Sequence, residues 1–307
     1  MIYQRLVWPW LARLDAETAH HLALGALEWA PLRLAPPSRA ASEVFGLRFA
    51  NPLGLAAGFD KNGVAVRSLA ALGFGHVEVG TVTPRPQPGR PKPRVFRQKD
   101  EQALINRLGF PSDGMEVVAR RLERLRERRF VLGVNVGPNA DAVGVEGFVQ
   151  AARRLAPLAD YVAVNVSSPN TSGLRDLQLE PIVEAVLPVI GRKPLLVKVS
   201  PDLTDEQVRR TCEVLAAHGV AGAIATNTTV QHGGETGGLS GPPLRARATQ
   251  VVRMLADRLP VVGVGGVASA RDAQEKLDAG AALVQLYTGF IYGGPLLPRR
   301  IVRGLVA

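Results

Sequence analysis

A single cysteine, Cys212, stands among 307 residues, so the chain has no disulfide framework and no cysteine-rich metal site, and its compartment reads as reducing. Histidine is scarce as well. Among His20, His21, His76, His218 and His232 no pair shows the i, i+4 or His-x-His spacing with carboxylates that a zinc site favours, and no catalytic metal is expected. No run approaches the roughly 18 consecutive apolar residues of a membrane span, and the N-terminus has acids and no cleavage-site pattern, which excludes a spanning or exported chain. The net charge of +10 comes without interleaved aromatics or a nucleic-acid motif. Much of it falls in RRLERLRERR (120–129), expected as one basic helix with a solvated face.

What is present is apolar: 46% of residues are hydrophobic and 21% charged, enough for one large domain or a domain with a small appendage. Short apolar runs recur at 53–59, 76–83, 131–137, 161–168, 195–201, 221–229, 261–267 and 283–290, separated by segments of helical period. One such segment, DEQVRRTCEVLAAHG, has Thr204 or Asp205 as a candidate cap and Gly219 at its end. Near-continuous apolar strands alternating with helices imply parallel strands covered by helices, and eight β-then-α units predict an α/β fold closed as a (β/α)8 TIM barrel. A doubly wound open sheet is the alternative.

Active sites in such barrels gather at the C-terminal ends of the strands, and each run ends in polar residues or glycine. In order these are Gly58, Asp60 and Lys61; Thr81; Asn135; Asn165 and Ser168; Lys198; Thr226 and Asn227; Gly265 and Gly266; Tyr287 and Thr288. Taken singly, turn propensity explains each; the coincidence of all of them predicts a functional mouth. The glycine-rich ends GVGG (263–266) and YTGF (287–290) lie where this fold binds phosphate through backbone N–H groups and a helix N-terminus. Lys198 with Asn135, Asn165 and Thr81 suits a planar heteroaromatic ring that gains negative charge on reduction. Flavin mononucleotide (FMN) satisfies both halves. A second cluster, INRLGF (105–110), follows the proline-rich TPRPQPGRPKPR (83–94) in a long aperiodic segment. Asn106, with Asn170, Asn227 and Lys61, could read a small anionic ring with imide-like edges. Two rival readings remain at this point: a Schiff-base aldolase built on Lys198, and a basic, non-catalytic barrel that binds nucleic acid.

NPLGLAAGFDKNG (51–63), VEVGTVTPRPQPG (77–89), INRLGF, NVSSPNT (165–171), ATNTT (225–229), GGLSGPPL (237–244), VGVGGV (262–267) and VQLYTGFIYGGP (284–295) together resemble class 2, quinone-dependent dihydroorotate dehydrogenase. The match runs in order from about residue 40 to the C-terminus. The resemblance implies an FMN-containing barrel that oxidises dihydroorotate to orotate in pyrimidine biosynthesis. It implies FMN contacts from Ala57, Gly58, Phe59, Asp60, Lys61, Thr81, Asn135, Asn165, Lys198, Thr226, Gly241, Gly266, Tyr287 and Thr288. It implies dihydroorotate contacts from Lys61, Asn106, Arg107, Leu108, Gly109, Phe110, Asn165, Asn170, Asn227 and Thr228. Ser168 would be the catalytic base, where class 1 relatives use cysteine; Ser167 competes on sequence alone. Thr171 is similar to a family threonine of a water relay, and Ser172 departs from the proline that many relatives carry.

Residues 1–40 are expected as a helical extension, two short helices broken at Pro9 or Leu14 with Asp15 as a cap, ahead of a catalytic barrel over 41–307. The extension holds Trp8, Trp10 and Trp29, all the tryptophans of the chain, beside Arg5, Arg13 and Arg33, a composition that suits a lipid interface. By the resemblance it forms the tunnel through which a membrane quinone, ubiquinone or menaquinone, reaches the flavin. The expected protein is a monomer, peripheral to the cytoplasmic face of the cell membrane and attracted to its anionic surface. No nucleic-acid partner is expected.

Overall fold

The structure, a computed structural model, describes residues 3–29, 37–125 and 127–306; Arg33 lies outside them. Eight parallel strands close a barrel: Leu53–Leu55, His76–Val82, Val131–Val136, Tyr161–Asn165, Leu195–Val199, Gly222–Ala225, Val261–Val264 and Leu283–Leu286, the last pairing with the first. Each falls inside one of the eight apolar runs. The runs are continuous rather than alternating because both strand faces are buried. Leu53, Val77, Val134 and Val197 face the surrounding helices. Ala56, Tyr161, Leu196 and Val262 face the barrel interior. A hairpin, Ser42–Val44 and Leu47–Phe49, plugs the lower end, with Phe49 packed edge-on to His76.

The helix Asp205–Ala217 resolves its own start: the Thr204 hydroxyl accepts from Gln207 N–H at 3.2 Å while the Gln207 side chain accepts from Thr204 N–H at 2.8 Å. This reciprocal cap satisfies two backbone donors that the first turn leaves free. The basic run 120–129 differs from expectation, because the helix there, Met115–Glu123, ends before most of it. Arg128 turns back to pair with Asp160 instead.

At the upper end the long segment after the second barrel strand is not structureless. Val95–Gln98 and Ala103–Asn106 pair antiparallel, and Gly238–Ser240 adds a third strand beside Asn106 and Leu104. This small sheet sits where the barrel opens. On the N-terminal side the chain is helical over Tyr3–Val7, Trp8–Leu11 and Ala16–Trp29. Pro9 lies in the first turn of a helix, where proline's missing N–H does no harm, and the break falls at 12–15. Asp15 caps the longer helix, accepting from Glu17 and Thr18 N–H at 3.0 and 2.9 Å. That helix is fastened by a buried ion pair: Arg94 donates to both Glu17 carboxylate oxygens, at 3.0 and 2.6 Å.

Candidate active site

The upper ends of the strands enclose a cavity whose empty space, open mouth included, is about 1040 Å³. Its walls contain Ala57, Gly58, Lys61, Thr81, Asn165, Lys198, Thr226, Gly241, Gly266, Tyr287 and Thr288 from the expected cofactor set. From the expected substrate set they contain Asn106, Leu108, Gly109, Phe110, Asn170, Asn227 and Thr228, with Ser168 among them. Four expected residues lie elsewhere. Asn135 is fully buried beneath Thr81, accepting from its hydroxyl at 2.7 Å. Asp60 accepts from Val64 and Ala65 N–H at 3.0 and 2.8 Å, holding the turn that leads into the helix Val66–Ala71; burial pushes its carboxyl up, opposed by those N–H groups. Phe59 packs tilted or edge-on against Phe290, Tyr287 and His20 behind the wall. Arg107 turns away over Phe96 and pairs with Glu235. Ser240, Leu244 and Ala268 line the cavity without having been named as contacts; Ser240 and Leu244 fall inside GGLSGPPL, whereas no motif marks Ala268.

The glycines of the seventh strand end act through backbone shape. Gly265 and Gly266 have φ of +114° and +76°, and a Cβ on Gly266 would stand 2.4 Å from that of Arg245. Bare backbone therefore forms this wall, as close approach of a phosphate requires. Opposite it, neutral amides are tied together. Asn227 donates to Asn165 Oδ1 at 3.1 Å and to Ser167 Oγ at 3.0 Å. Asn165 donates to Thr81 at 2.9 Å. Asn170 donates to the Asn106 carbonyl at 3.1 Å, and Asn106 to the carbonyl of Gly238 at 3.3 Å. Asn106 reaches the mouth because its strand pairs with a segment more than 130 residues further on.

Of the two candidate serines, Ser167 is held inside this amide web, donating to Asn165 and accepting from Asn227. Ser168 lines the cavity and its Oγ accepts from Asn170 N–H at 3.3 Å. Thr171, three residues on, is buried with no partner for its hydroxyl. Two cations border the same space. Burial depresses Lys61 to about 8, against the pull of Glu17, and its ammonium donates to the Gly58 carbonyl at 2.6 Å. Burial also lowers Lys198, opposed by Glu78.

Neutral amides, depressed lysines and a glycine-walled recess at this end of this fold define a class, the (β/α)8-barrel enzymes with their site at the C-terminal strand ends. The family model for dihydroorotate dehydrogenase matches residues 39–307. The chain is 50% identical to a dihydroorotate dehydrogenase (quinone) of a Nocardioides species over 96% of its own length and 94% of that protein's. It is 49% identical to one of Leifsonia xyli subsp. xyli, covering 100% and 99%. A crystal structure of dihydroorotate dehydrogenase from Eimeria tenella in complex with ferulenol superposes with a TM-score of 0.89 at 38% identity, covering 95% of this chain and 90% of that one. The chain belongs to the dihydroorotate dehydrogenase family.

Proposed function

We propose that this protein oxidises dihydroorotate to orotate in pyrimidine biosynthesis, with FMN as the bound flavin and a membrane quinone as the final acceptor. The observation that carries the reading is the convergence of Ser168, Lys61, Lys198 and the amides of Asn106, Asn170 and Asn227 on one cavity that glycine backbone also lines. The residues present fit the flavin: Gly241, Gly265 and Gly266 leave room for a phosphate group, Lys198 would supply a cation to the ring, and Asn165 and Thr81 would offer it neutral contacts. When bound, FMN supplies a two-electron acceptor for the hydride of one substrate carbon.

The chain's own residues supply the rest. Ser168 Oγ takes the proton from the neighbouring substrate carbon, the one beside the carbonyl, as its own hydroxyl proton leaves along the loop toward solvent. A serine is a weak base. The Asn170 N–H directed at the Ser168 oxygen stabilises it as its own proton leaves, and the ammonium of Lys61 with the amides around the substrate holds the negative charge that develops there. The Thr171 hydroxyl, buried and unpartnered, is placed in the same loop to pass that proton onward.

The extension is the route for quinone in this reading. His20 of the helix Ala16–Trp29 packs on Phe59 at 4.9 Å, and Phe59 on the cavity-lining Tyr287 at 5.6 Å, so the helix reaches within two rings of the flavin recess. Its exposed apolar side chains include Leu6, Trp10, Leu14, Leu22 and Trp29, with Arg5 and Arg13 exposed among them. This composition favours an anionic lipid surface at the cytoplasmic face; among the described residues no helix is long and apolar enough to cross a membrane.

The deciding experiment is an absorbance spectrum of the purified protein, followed by anaerobic addition of dihydroorotate and then a ubiquinone analogue. Flavin bands should bleach with the first and return with the second. A colourless protein that refuses FMN would overturn the reading, as would a flavin that dihydroorotate leaves oxidised. Deletion of residues 1–35 should leave the bleaching intact and abolish turnover with long-chain quinone; surviving quinone turnover would refute the route.

A further inference from the structure

Barrels of this fold fill their interior with layers of branched apolar side chains. The layer directly beneath this cavity is polar instead: His76, Glu78, Asn135, Tyr161 and Gln285 are all buried. Space for it comes from missing side chains on neighbouring strands, since a Cβ on Gly133 would stand 2.0 Å from the Tyr161 ring and one on Gly54 2.0 Å from His76. At its centre is a carboxylate. Glu78 accepts from Asn135 Nδ2 at 2.9 Å, from the Tyr161 hydroxyl at 2.8 Å and from Gln285 Nε2 at 3.0 Å. A buried carboxylate is strongly unfavourable unless so partnered, and one held by three donors is satisfied as the anion. Stability alone does not account for the layer, because His76 Nδ1 and Gln285 Oε1 in it are left without partners.

The anion has a directional consequence. An ionised carboxylate only accepts, so Asn135 must turn its NH2 downward and its carbonyl oxygen upward. That oxygen takes the Thr81 hydroxyl proton, which leaves Thr81 to accept from Asn165 Nδ2 and Asn165 Oδ1 to accept from Asn227. Every donor in the file points toward Glu78. Three of the groups so oriented, Thr81, Asn165 and Asn227, line the cavity. Glu78 is also the charge that acts on Lys198 from below.

We propose that Glu78 is a positioning residue for the reaction: its buried carboxylate, acting through Asn135, sets which hydrogen-bonding face the amides present to flavin and substrate, and balances Lys198. The proposal rests on the flavin reading above. It assigns the polar layer to tuning the cofactor, since a fixed negative charge below the cavity would oppose adding electrons to a flavin bound in it.

The test is a redox titration of the purified flavoprotein against a dye of known potential, with Glu78→Gln beside the parent. Glutamine keeps the shape and removes the charge. The expected result is the parent's flavin content with the two-electron reduction equilibrium moved about tenfold toward the reduced form, a shift of about 30 mV. Full flavin content with an equilibrium within about twofold of the parent's would overturn the proposal, because a purely structural role does not move a potential. If the glutamine variant does not fold, Glu78→Asp decides: it keeps the charge on an arm too short to hold Asn135 and Tyr161 together. The parent's potential with a dihydroorotate KM raised about fivefold would then support the proposal, fivefold being the loss of a modest hydrogen bond. An aspartate variant with the parent's KM, or one that also fails to fold, would overturn it. A parent protein that binds no FMN overturns the functional reading first, and this proposal with it.

Discussion

Glu17→Gln should loosen the N-terminal extension while sparing the barrel, and the effect should fade in acid. Glu17 and Arg94 have side chains only 9% and 7% exposed, joined by two hydrogen bonds. Burial alone would raise the Glu17 carboxyl, but the Arg94 hydrogen bond and charge, with Lys92 beside it, outweigh that and bring it from 4.5 to about 2. A depression of about 2.5 units corresponds to about 3 kcal/mol of stability at neutral pH. Loss of one partner of a buried pair gives a similar figure, about 3 to 5 kcal/mol. The sign follows from a folded value below the unfolded one: the contribution is complete above about pH 5 and is lost as pH falls toward 2. At pH 3 about 1.5 kcal/mol of it should remain. The assay is a urea titration read in two ways. Tryptophan fluorescence reports the extension, because Trp8, Trp10 and Trp29 are the only tryptophans and Trp8 packs on Tyr292 at 4.8 Å; circular dichroism reports mainly the barrel helices. The fluorescence transition should move to lower urea by about 3 kcal/mol at pH 7, with the dichroism transition far less affected. A gap between parent and variant that is the same at pH 7 and pH 3, or smaller than about 0.5 kcal/mol at pH 7, would refute the reasoning.

Three further outcomes are expected. Ser168→Ala should slow anaerobic flavin reduction by dihydroorotate by about 10² to 10⁴-fold, the usual contribution of a positioned base; Ser167→Ala should slow it far less, since its hydroxyl is engaged with Asn165 and Asn227, and stopped-flow absorbance separates the two. Lys61, depressed by burial to about 8, is a cation below that value and neutral above it, so the dihydroorotate KM should rise with pH through this range, and Lys61→Met should remove the dependence while raising KM at pH 7. Gly266→Ala should weaken FMN retention, read by flavin released on gel filtration, because φ of +76° and a Cβ 2.4 Å from that of Arg245 force the wall to shift.

All eight barrel strands were legible in the chain, because parallel strands buried on both faces leave short apolar runs that no exposed loop imitates. Their polar ends were legible too, and they marked the mouth. Asp15 and the helix around Cys212 were readable from local capping and period. What the linear order could not display is pairing between distant segments. The strand Ala103–Asn106 becomes a strand only by meeting Gly238–Ser240, so Asn106 looked like part of an aperiodic loop. Arg94 finds Glu17 across 77 positions. Arg107 sits in the same motif as Asn106, yet just past the strand's end its side chain turns to Glu235 rather than the cavity. Ser167 and Ser168 are equivalent as neighbours in sequence; only the path of the chain after the fourth strand turns one into the amide web and the other into the cavity. Glu78 is a single acid inside HVEVGTV, unremarkable until the barrel closes around it. Composition and period thus determined the fold and the end at which chemistry occurs, because those depend on local burial. Which side chains meet there was decided by tertiary structure, because register and non-local pairing depend on the whole closed barrel.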